Sequence, residues 1–348
     1  MQRTMLIVVV ALLSLAAAAA SQSATVTKHT ASWLSNARGN LFFRLSADGS
    51  QMLVNRSASP LKEELVVVPT SGGEGVLWHT APGRSIYDRI ALSGDGSTVV
   101  FAKTSESKVY AVTQPAMTPA LVADVSPDSD PRQLRISDDG KWIAFTAARM
   151  VQSSGQARVH ANLYVAATNG SVVHRITAAA LPGRWIAFDL SGDGKSVVWL
   201  DDAGKSPLVA DANGANARRI TVTATQLGRL RCNTTASQLY FDAFDRDGTH
   251  LWRVNRDGTG EIKLQSTTSG RFFIARGSGQ VRLERFDPNA APPGSSWLQT
   301  GEGPIKMFDI KREDIDGTSD WSQDGRVLVW RAPGSSGGFA TFVWRSGA

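Results

Sequence analysis

The sequence predicts an all-β protein of the β-propeller class, a ring of four-stranded blades in which seven copies of one unit follow each other along the chain. Three observations support this prediction. One turn motif recurs at a nearly constant spacing, each copy is followed by further apolar runs that end in hairpin turns, and the last copy lacks one strand while the chain begins with an unassigned one. Repetition at roughly 40–50 residues is typical of propeller blades.

The repeated turn reads apolar residue, Ser, variable residue, Asp, Gly. Complete copies are LSADGSQMLV (45–54), LSGDGSTVVF (92–101), ISDDGKWIAF (136–145), LSGDGKSVVW (190–199) and WSQDGRVLVW (321–330), and two worn copies are CNTTASQLYF (232–241) and ARGSGQVRLE (275–284). Successive turns stand 41 to 54 residues apart. The count of seven falls to six if the worn copy at 271–310 is a distorted insertion.

Each unit can be divided into four strands. The Asp-Gly pair supplies the positive backbone dihedrals of a tight hairpin turn, and the alternating apolar residues after it bury one face of a strand. The repeated Ser is predicted to bond the local backbone, because a residue present in most copies serves the turn rather than a single active site. A third run then leads through an Asn-Gly or Asp-Gly turn into a fourth, as in NLYVAATNG (162–170) and VVHRIT (172–177).

The last unit predicts how the ring closes. After 321–330 and FATFVWRS (339–346), one strand of this blade is missing. The N-terminal stretch ATVTKHTAS (24–32) fits the missing outer strand. We therefore expect 24–32 to pair with 339–346, which would tie the two ends of the chain together and remove a free sheet edge.

The full unit resembles the repeat of TolB-type, WD-related propellers, which also occurs in prolyl oligopeptidase-like enzymes. The resemblance rests on the Ser-x-Asp-Gly turn, on an apolar-Tyr-apolar run and on an Arg-apolar-Thr ending, and it covers nearly all of the chain after residue 20. It implies a propeller that acts as an interaction platform in the cell envelope. We expect neither the N-terminal α/β domain of TolB nor the hydrolase domain of the oligopeptidases.

The first residues predict export. Arg3 precedes an apolar run from Met5 to Ala20, which is typical of a signal peptide over 1–20 that is cut near Ala20–Ser21. The remaining 21–348 is predicted to be a single propeller domain, periplasmic or secreted, because no later run approaches the ~20 apolar residues of a membrane helix. Cys232 is the only cysteine, so it cannot form an internal disulfide, and we expect it buried in a strand.

The candidate binding site is basic. In six of the seven units an arginine stands just before the innermost strand, and these residues are Arg38, Arg84, Arg132, Arg184, Arg229 and Arg271. If they converge at one mouth of the channel, their guanidinium groups form a ring that binds carboxylate, phosphate or sulfate, with Tyr87 and Trp185 as stacking surface. The alternative is that each arginine spans a joint between blades and pairs with an acidic neighbour.

No catalytic constellation or metal motif is found. None of the five histidines stands at metal-ligand spacing from another, and the acidic run Asp314–Asp320 lacks the terminal glutamate of a calcium loop. The chain is therefore expected to need no cofactor and to be a binding or scaffold propeller rather than an enzyme. The net charge of +6 favours an acidic protein, peptide or glycan over nucleic acid as partner. The alternative function is a lyase or hydrolase that acts in the channel on an acidic saccharide.

Overall fold

The structure, a computed structural model, places strands over most of the chain after residue 24. The residues it describes are 25–31, 34, 42–59, 62–82, 89–103, 106–153, 156–183, 186–201, 204–246, 248–267, 270–276, 280–285, 295–299, 304–309, 319–333 and 339–345. The predicted signal segment 1–20 lies outside them. Within the described part, no helix is long and apolar enough to cross a membrane.

The strands are short and follow the predicted runs. In chain order they are β1 Thr25–Lys28, β2 Phe42–Leu45, β3 Gln51–Ser59, β4 Lys62–Pro69, β5 Val76–Pro82, β6 Ile90–Leu92, β7 Thr98–Ala102, β8 Lys108–Thr113, β9 Ala120–Asp124, β10 Ser129–Ile136, β11 Trp142–Ser153, β12 Gln156–Ala167, β13 Val173–Arg175, β14 Leu181–Pro182, β15 Phe188–Leu190, β16 Ser196–Leu200, β17 Pro207–Asp211, β18 Arg218–Arg219, β19 Leu227–Cys232, β20 Gln238–Asp245, β21 Gly248–Asn255, β22 Ile262–Thr267, β23 Gly270–Ala275, β24 Gln280–Arg285, β25 Ser295–Gln299, β26 Pro304–Asp309, β27 Ser319–Trp321, β28 Val327–Pro333 and β29 Phe339–Arg345.

These strands pair into antiparallel sheets, which we number by the order of their inner strands. Sheet 1 is β2-β3-β4-β5, sheet 2 is β6-β7-β8-β9, sheet 3 is β10-β11-β12-β13 with β14 added beside β12, sheet 4 is β15-β16-β17-β18, sheet 5 is β19-β20-β21-β22, sheet 6 is β23-β24-β25-β26, and sheet 7 is β27-β28-β29-β1. The all-β class and the four-stranded blade are confirmed.

The number of blades depends on whether sheet 6 is counted. Sheets 1 to 5 and sheet 7 have described side chains that pack between neighbouring sheets, which gives six packed blades, the alternative count. Sheet 6 covers the worn copy, and it is described by its strand pairing and by the side chains of Ile274 and Arg276 alone. The packing of described side chains therefore does not by itself support the predicted count of seven, which depends on sheet 6.

The core lies between the sheets. Leu53 of sheet 1 packs in one cluster with Phe101 of sheet 2, and Val100 of sheet 2 packs with Phe145 of sheet 3. All four side chains are fully buried. Burying a side chain of this size stabilises the fold by about 1.5–3 kcal/mol. Among the described side chains, sheets 1 to 4 each bury one face on the sheet before them and the other on the sheet after them.

The predicted closure of the ring is confirmed. β1 pairs with β29 over four residues, from Thr25 opposite Arg345 to Lys28 opposite Phe342. The amide of His29 adds a hydrogen bond of 2.8 Å to the carbonyl of Thr341. The N-terminal strand thereby covers the outer edge of the last sheet.

The hairpins between second and third strands differ in height. The strands β11 and β12 have 12 residues each, whereas β16 and β17 have five each. We call the end of the channel that carries the Ser-x-Asp-Gly turns the turn face and the opposite end the loop face. Since each second strand runs away from its turn, the long hairpins rise at the loop face, and sheet 4 forms a low step between sheets 3 and 5.

Candidate functional site

The serine of each complete repeat holds its own turn together. The Ser191 hydroxyl donates to Asp193 at 2.7 Å and accepts from the amide of Ser196 at 2.9 Å. The equivalent hydroxyl–carboxylate bonds are Ser46–Asp48, Ser93–Asp95, Ser137–Asp139 and Ser322–Asp324, at 2.6–2.7 Å. The predicted turn role is confirmed, so these serines are not candidates for a nucleophile.

Backbone hydrogen bonds join one turn to the next around the turn face. The donors and acceptors are Asp324 N to Ala47 O, Ala47 N to Gly94 O, Asp95 N to Asp138 O, Asp138 N to Gly192 O, Asp193 N to Thr234 O, and Thr234 N to Arg276 O, at 2.7–3.3 Å. Asp138 fills the space beside Gly192, where a β-carbon would stand 2.2 Å from its carboxylate. The channel is therefore narrow at the turn face.

Most of the residues predicted to form the arginine ring lie outside the described part of the chain or have no described side chain. Arg38, Arg84, Arg184, Tyr87 and Trp185 lie outside the described residues, and Arg271 is described only as a backbone position of β23 opposite Glu284. Of the eight predicted site residues, two have described side chains, Arg132 and Arg229. The convergence of all six arginines is thus an untested prediction.

Arg132 is engaged in an ion pair within its own sheet. Its Nε and Nη2 both lie 2.7 Å from Oδ2 of Asp130, while the other oxygen of Asp130 lies 2.5 Å from Nη2 of Arg89. Arg89 is buried and directly precedes β6, so this second contact crosses from sheet 2 to sheet 3. The joint that the alternative interpretation expects exists here, but Arg89 forms it rather than Arg132.

Arg229 is exposed on β19 at the loop face, and its backbone is held by a buried carboxylate. Its amide donates to Oδ1 of Asp242, which is 6% exposed. Burial raises the pKa of Asp242, although the Arg229 amide, the Arg229 charge and Arg231 partly offset this effect. The position of Arg229 is therefore fixed by its backbone.

A pocket of about 220 Å³ opens next to Arg229, above the low step of sheet 4. Its lining residues come from sheets 3, 4 and 5 and are mostly of apolar types, although they expose more polar than apolar surface to the pocket: Leu181, Pro182, Ile186, Ala187, Leu200, Asp201, Gly204, Leu227 and Gly228. Gly228 also faces the ring of Phe244, a side chain that is 45% exposed. We call this cavity the step pocket.

The step pocket adjoins several of the predicted residues in the sequence. Arg184 and Trp185 stand between its lining residues Pro182 and Ile186, and Arg229 follows Gly228. Asp201 in the lining is ion-paired with Arg219. A pocket with apolar side chains in its lining and the exposed Arg229 beside it suits a ligand that carries both an apolar group and a carboxylate.

The channel also contains arginines that were not among the predicted site residues. Arg44, Arg135 and Arg231 occupy equivalent positions of the inner strands β2, β10 and β19, opposite Leu53, Ala144 and Tyr240. Sheets 4 and 7 have Asp189 and Asp320 at this position. The sequence contains a signal for these residues, because each stands two positions before the turn serine or, for Arg231, before Asn233 at the equivalent place.

The channel acids have partners in the next sheet. Asp189 accepts from the amide of Cys232 at 3.1 Å, and Asp320 accepts from the amide of Leu45 at 2.9 Å. Arg276, which takes the place of the turn serine in sheet 6, lies 2.6 Å from Asp189. Cys232 is fully buried as predicted, and burial raises the pKa of its thiol well above the usual value.

Histidines and metal ligands are not brought together in the described part of the chain. His79 and His174 lie on the outer strands β5 and β13, and His29 follows the outer strand β1. Among the described residues, no group of three or more His, Cys, Asp or Glu side chains could hold a metal ion. The predicted absence of a cofactor is not tested by this observation.

Comparison with known proteins supports the fold. No protein-family model and no curated protein sequence matches the chain. An oligogalacturonate lyase solved with manganese matches with a TM-score of 0.67 at 10% identity, over 93% of this chain and 90% of the other. The oligogalacturonate lyase of Vibrio parahaemolyticus matches with a TM-score of 0.67 at 9% identity, over 93% and 96%. Identities this low show a shared propeller fold and nothing of the activity.

TolB structures also occur among the similar ones. TolB of Acinetobacter baumannii matches with a TM-score of 0.42 at 17% identity, over 65% of this chain and 54% of the other. A likeness at this level does not extend the resemblance of the repeat to a family assignment.

Proposed function

We propose that this protein is a binding or scaffold propeller that engages an acidic partner at its loop face. The observation that carries the proposal is the step pocket, a cavity with several apolar side chains in its lining that spans three sheets and is bordered by the exposed Arg229. The pocket takes one apolar side chain of the partner, and Arg229 takes a carboxylate beside it. Arg184, which stands two positions before the lining residue Ile186 in the sequence, is proposed to take another. A guanidinium suits this task because its forked donors match a carboxylate.

The size of the pocket favours a protein or peptide over a glycan as partner. A volume of about 220 Å³ suits a single apolar side chain, and an exposed Phe244 at its border adds contact area of the kind found at protein interfaces. The remaining predicted arginines, if they converge at the same face, would extend the cationic surface around the channel.

The protein acts outside the cytoplasm in this proposal, in the periplasm or as a secreted protein. The supporting observation is the signal-like segment 1–20. A lyase or hydrolase function has no comparable support, because the likeness to oligogalacturonate lyases concerns the fold.

Sheet 6 is the seventh blade of the ring in this proposal. Two contacts support it: the amide of Thr234 in the turn of sheet 5 donates to the carbonyl of Arg276 at 3.3 Å, and Ile274 packs against the buried pair Tyr240 and Leu251. A disordered or detached insertion is not expected to continue the series of hydrogen bonds that joins one turn to the next.

Paired peptide arrays test the binding function. One array carries a central Leu or Phe among Asp and Glu residues, and the other has the same sequences with Asn and Gln. We expect the purified protein to bind the acidic array, and Arg229→Ala to weaken binding by about tenfold, since a charge-assisted hydrogen bond contributes roughly 1.5–3 kcal/mol.

The control for this experiment is Arg326→Ala. Arg326 follows the turn of sheet 7 on the opposite face, and its side chain is 76% exposed. This variant should bind as the wild type does. Equal binding of both arrays, no binding of either, or equal loss in the two variants would each contradict the proposal.

A further inference from the structure

The channel contains a group of arginines with a common geometry. Arg44, Arg135 and Arg231 each donate Nη1 to the carbonyl oxygen of the preceding residue, at 2.7, 3.0 and 2.8 Å. They belong to sheets 1, 3 and 5, so they approach the channel axis from three sides. We call them the channel arginines.

The acids of the channel neutralise this group only in part, through the ion pair of Arg135 with Asp189 and the charges of Arg44 and Arg135 acting on Asp320. Asp189 is shared between Arg276 at 2.6 Å and the amide of Cys232, and its distance to Nε of Arg135 is 3.6 Å. Asp320 is bound to the amide of Leu45. Within the described part of the chain, Arg44 and Arg231 form no ion pair. Each channel arginine thus keeps most of its five N–H donors for another acceptor.

The electrostatics of Arg135 agree with an excess of positive charge. Burial and then repulsion by Arg231, with further repulsion by Arg44 and Arg276, lower the pKa of Arg135 to about 9, although Asp189 acts in the opposite direction. Guanidinium groups that crowd one another in a confined space are stabilised when an anion binds among them.

Access to the channel arginines is from the loop face. At the turn face, Arg276 lies 3.9 Å from Asp138 and occupies the narrow end of the channel. On the loop-face side of Arg276, the side chain of Arg135 remains 26% exposed. Arg276 therefore occupies the turn-face end, and solvent reaches Arg135 from the loop-face side.

We propose that Arg44, Arg135 and Arg231 form an anion site inside the channel that binds a phosphate or sulfate group. A tetrahedral oxyanion offers oxygens in several directions, which matches donors arriving from three sheets, whereas a planar carboxylate engages one or two guanidiniums. The site is distinct from the step pocket and does not depend on the proposed function. The group is either a free inorganic ion or the terminal phosphate of a longer molecule.

Titration of the full chain with inorganic phosphate and with glycerol phosphate tests the site, in a buffer without other multivalent anions. We expect saturable heat in calorimetry and a rise in the melting temperature with at least one of the two. Arg231→Ala should weaken the affinity by about tenfold or more, as expected for the loss of a charge-assisted contact. A preference for glycerol phosphate would identify a terminal phosphate group as the ligand, and a preference for phosphate would identify the free ion.

Two further variants keep the test decisive. Arg231→Lys retains the charge without the forked donors of the guanidinium, so it should bind more weakly than the wild type and more tightly than Arg231→Ala. It takes the place of Arg231→Ala in the test if that variant folds poorly. Arg326→Ala, on the turn face, should bind as the wild type does. The proposal would be overturned by the absence of saturable binding, or by equal affinities of the wild type and both Arg231 variants.

Discussion

A single buried hydroxyl illustrates how the repeat is built at the scale of the residue. Ser191 is fully buried, and its hydroxyl oxygen accepts a hydrogen bond from the backbone amide of Ser196, which is also buried. Replacing it by Ala leaves that donor unsatisfied in a turn whose Asp193 also loses a partner. We expect Ser191→Ala to lower the free energy of unfolding by about 1–3 kcal/mol, measured by urea denaturation.

The matched control at this scale is Ser171→Ala. Ser171 also follows a hairpin turn, but it is exposed, and the hydrogen bond there comes from its backbone amide to Asn169. Its removal should change stability by no more than about 0.5 kcal/mol. If the two variants were equally stable, the serine of the repeat would have no structural role in the turn.

At the scale of the element, the N-terminal strand β1 shows most clearly how the pairing of one strand stabilises the fold. Without β1, the edge of β29 loses four paired residues, and Ala31 is removed from the cluster around Phe43 and Val343. A chain that begins at residue 33 should therefore melt at least about 5 °C below a chain that begins at residue 24. Equal melting temperatures by circular dichroism would refute a stabilising role of the pairing.

At the scale of the whole molecule, the ring should depend on sheet 6. Deletion of 270–309 removes the acceptor of the Thr234 amide and the partner of Asp189, so sheets 5 and 7 are left without a sheet between them. We expect this variant to lose cooperative thermal unfolding and to aggregate, because a ring that cannot close exposes a sheet face on each side of the gap.

The control variant shortens one hairpin and leaves the packing between sheets in place. Replacing 151–158 at the tip of β11 and β12 by a short turn should leave unfolding cooperative, since Arg158 in this segment and Met150 next to it are exposed. A soluble monomer with wild-type melting after deletion of 270–309 would instead identify sheet 6 as an insertion in a six-bladed ring.

The sequence by itself determined the blade, the turn chemistry and the closure of the ring. These features are local or repeated: an Asp-Gly turn needs only its own residues, as Ser93 and Asp95 show, and strand alternation predicts which face is buried. The match of 24–32 to the missing strand was also readable, because the last unit was visibly incomplete.

Only the tertiary structure decided where charged and apolar groups from different sheets meet. Arg276 and Asp189 are far apart in sequence, yet they lie in contact because the ring brings the inner strands of several sheets to one axis. The step pocket likewise exists because sheet 4 is shorter than its neighbours on either side. Such sites arise from the relative height and rotation of whole blades, which no spacing within a single repeat encodes.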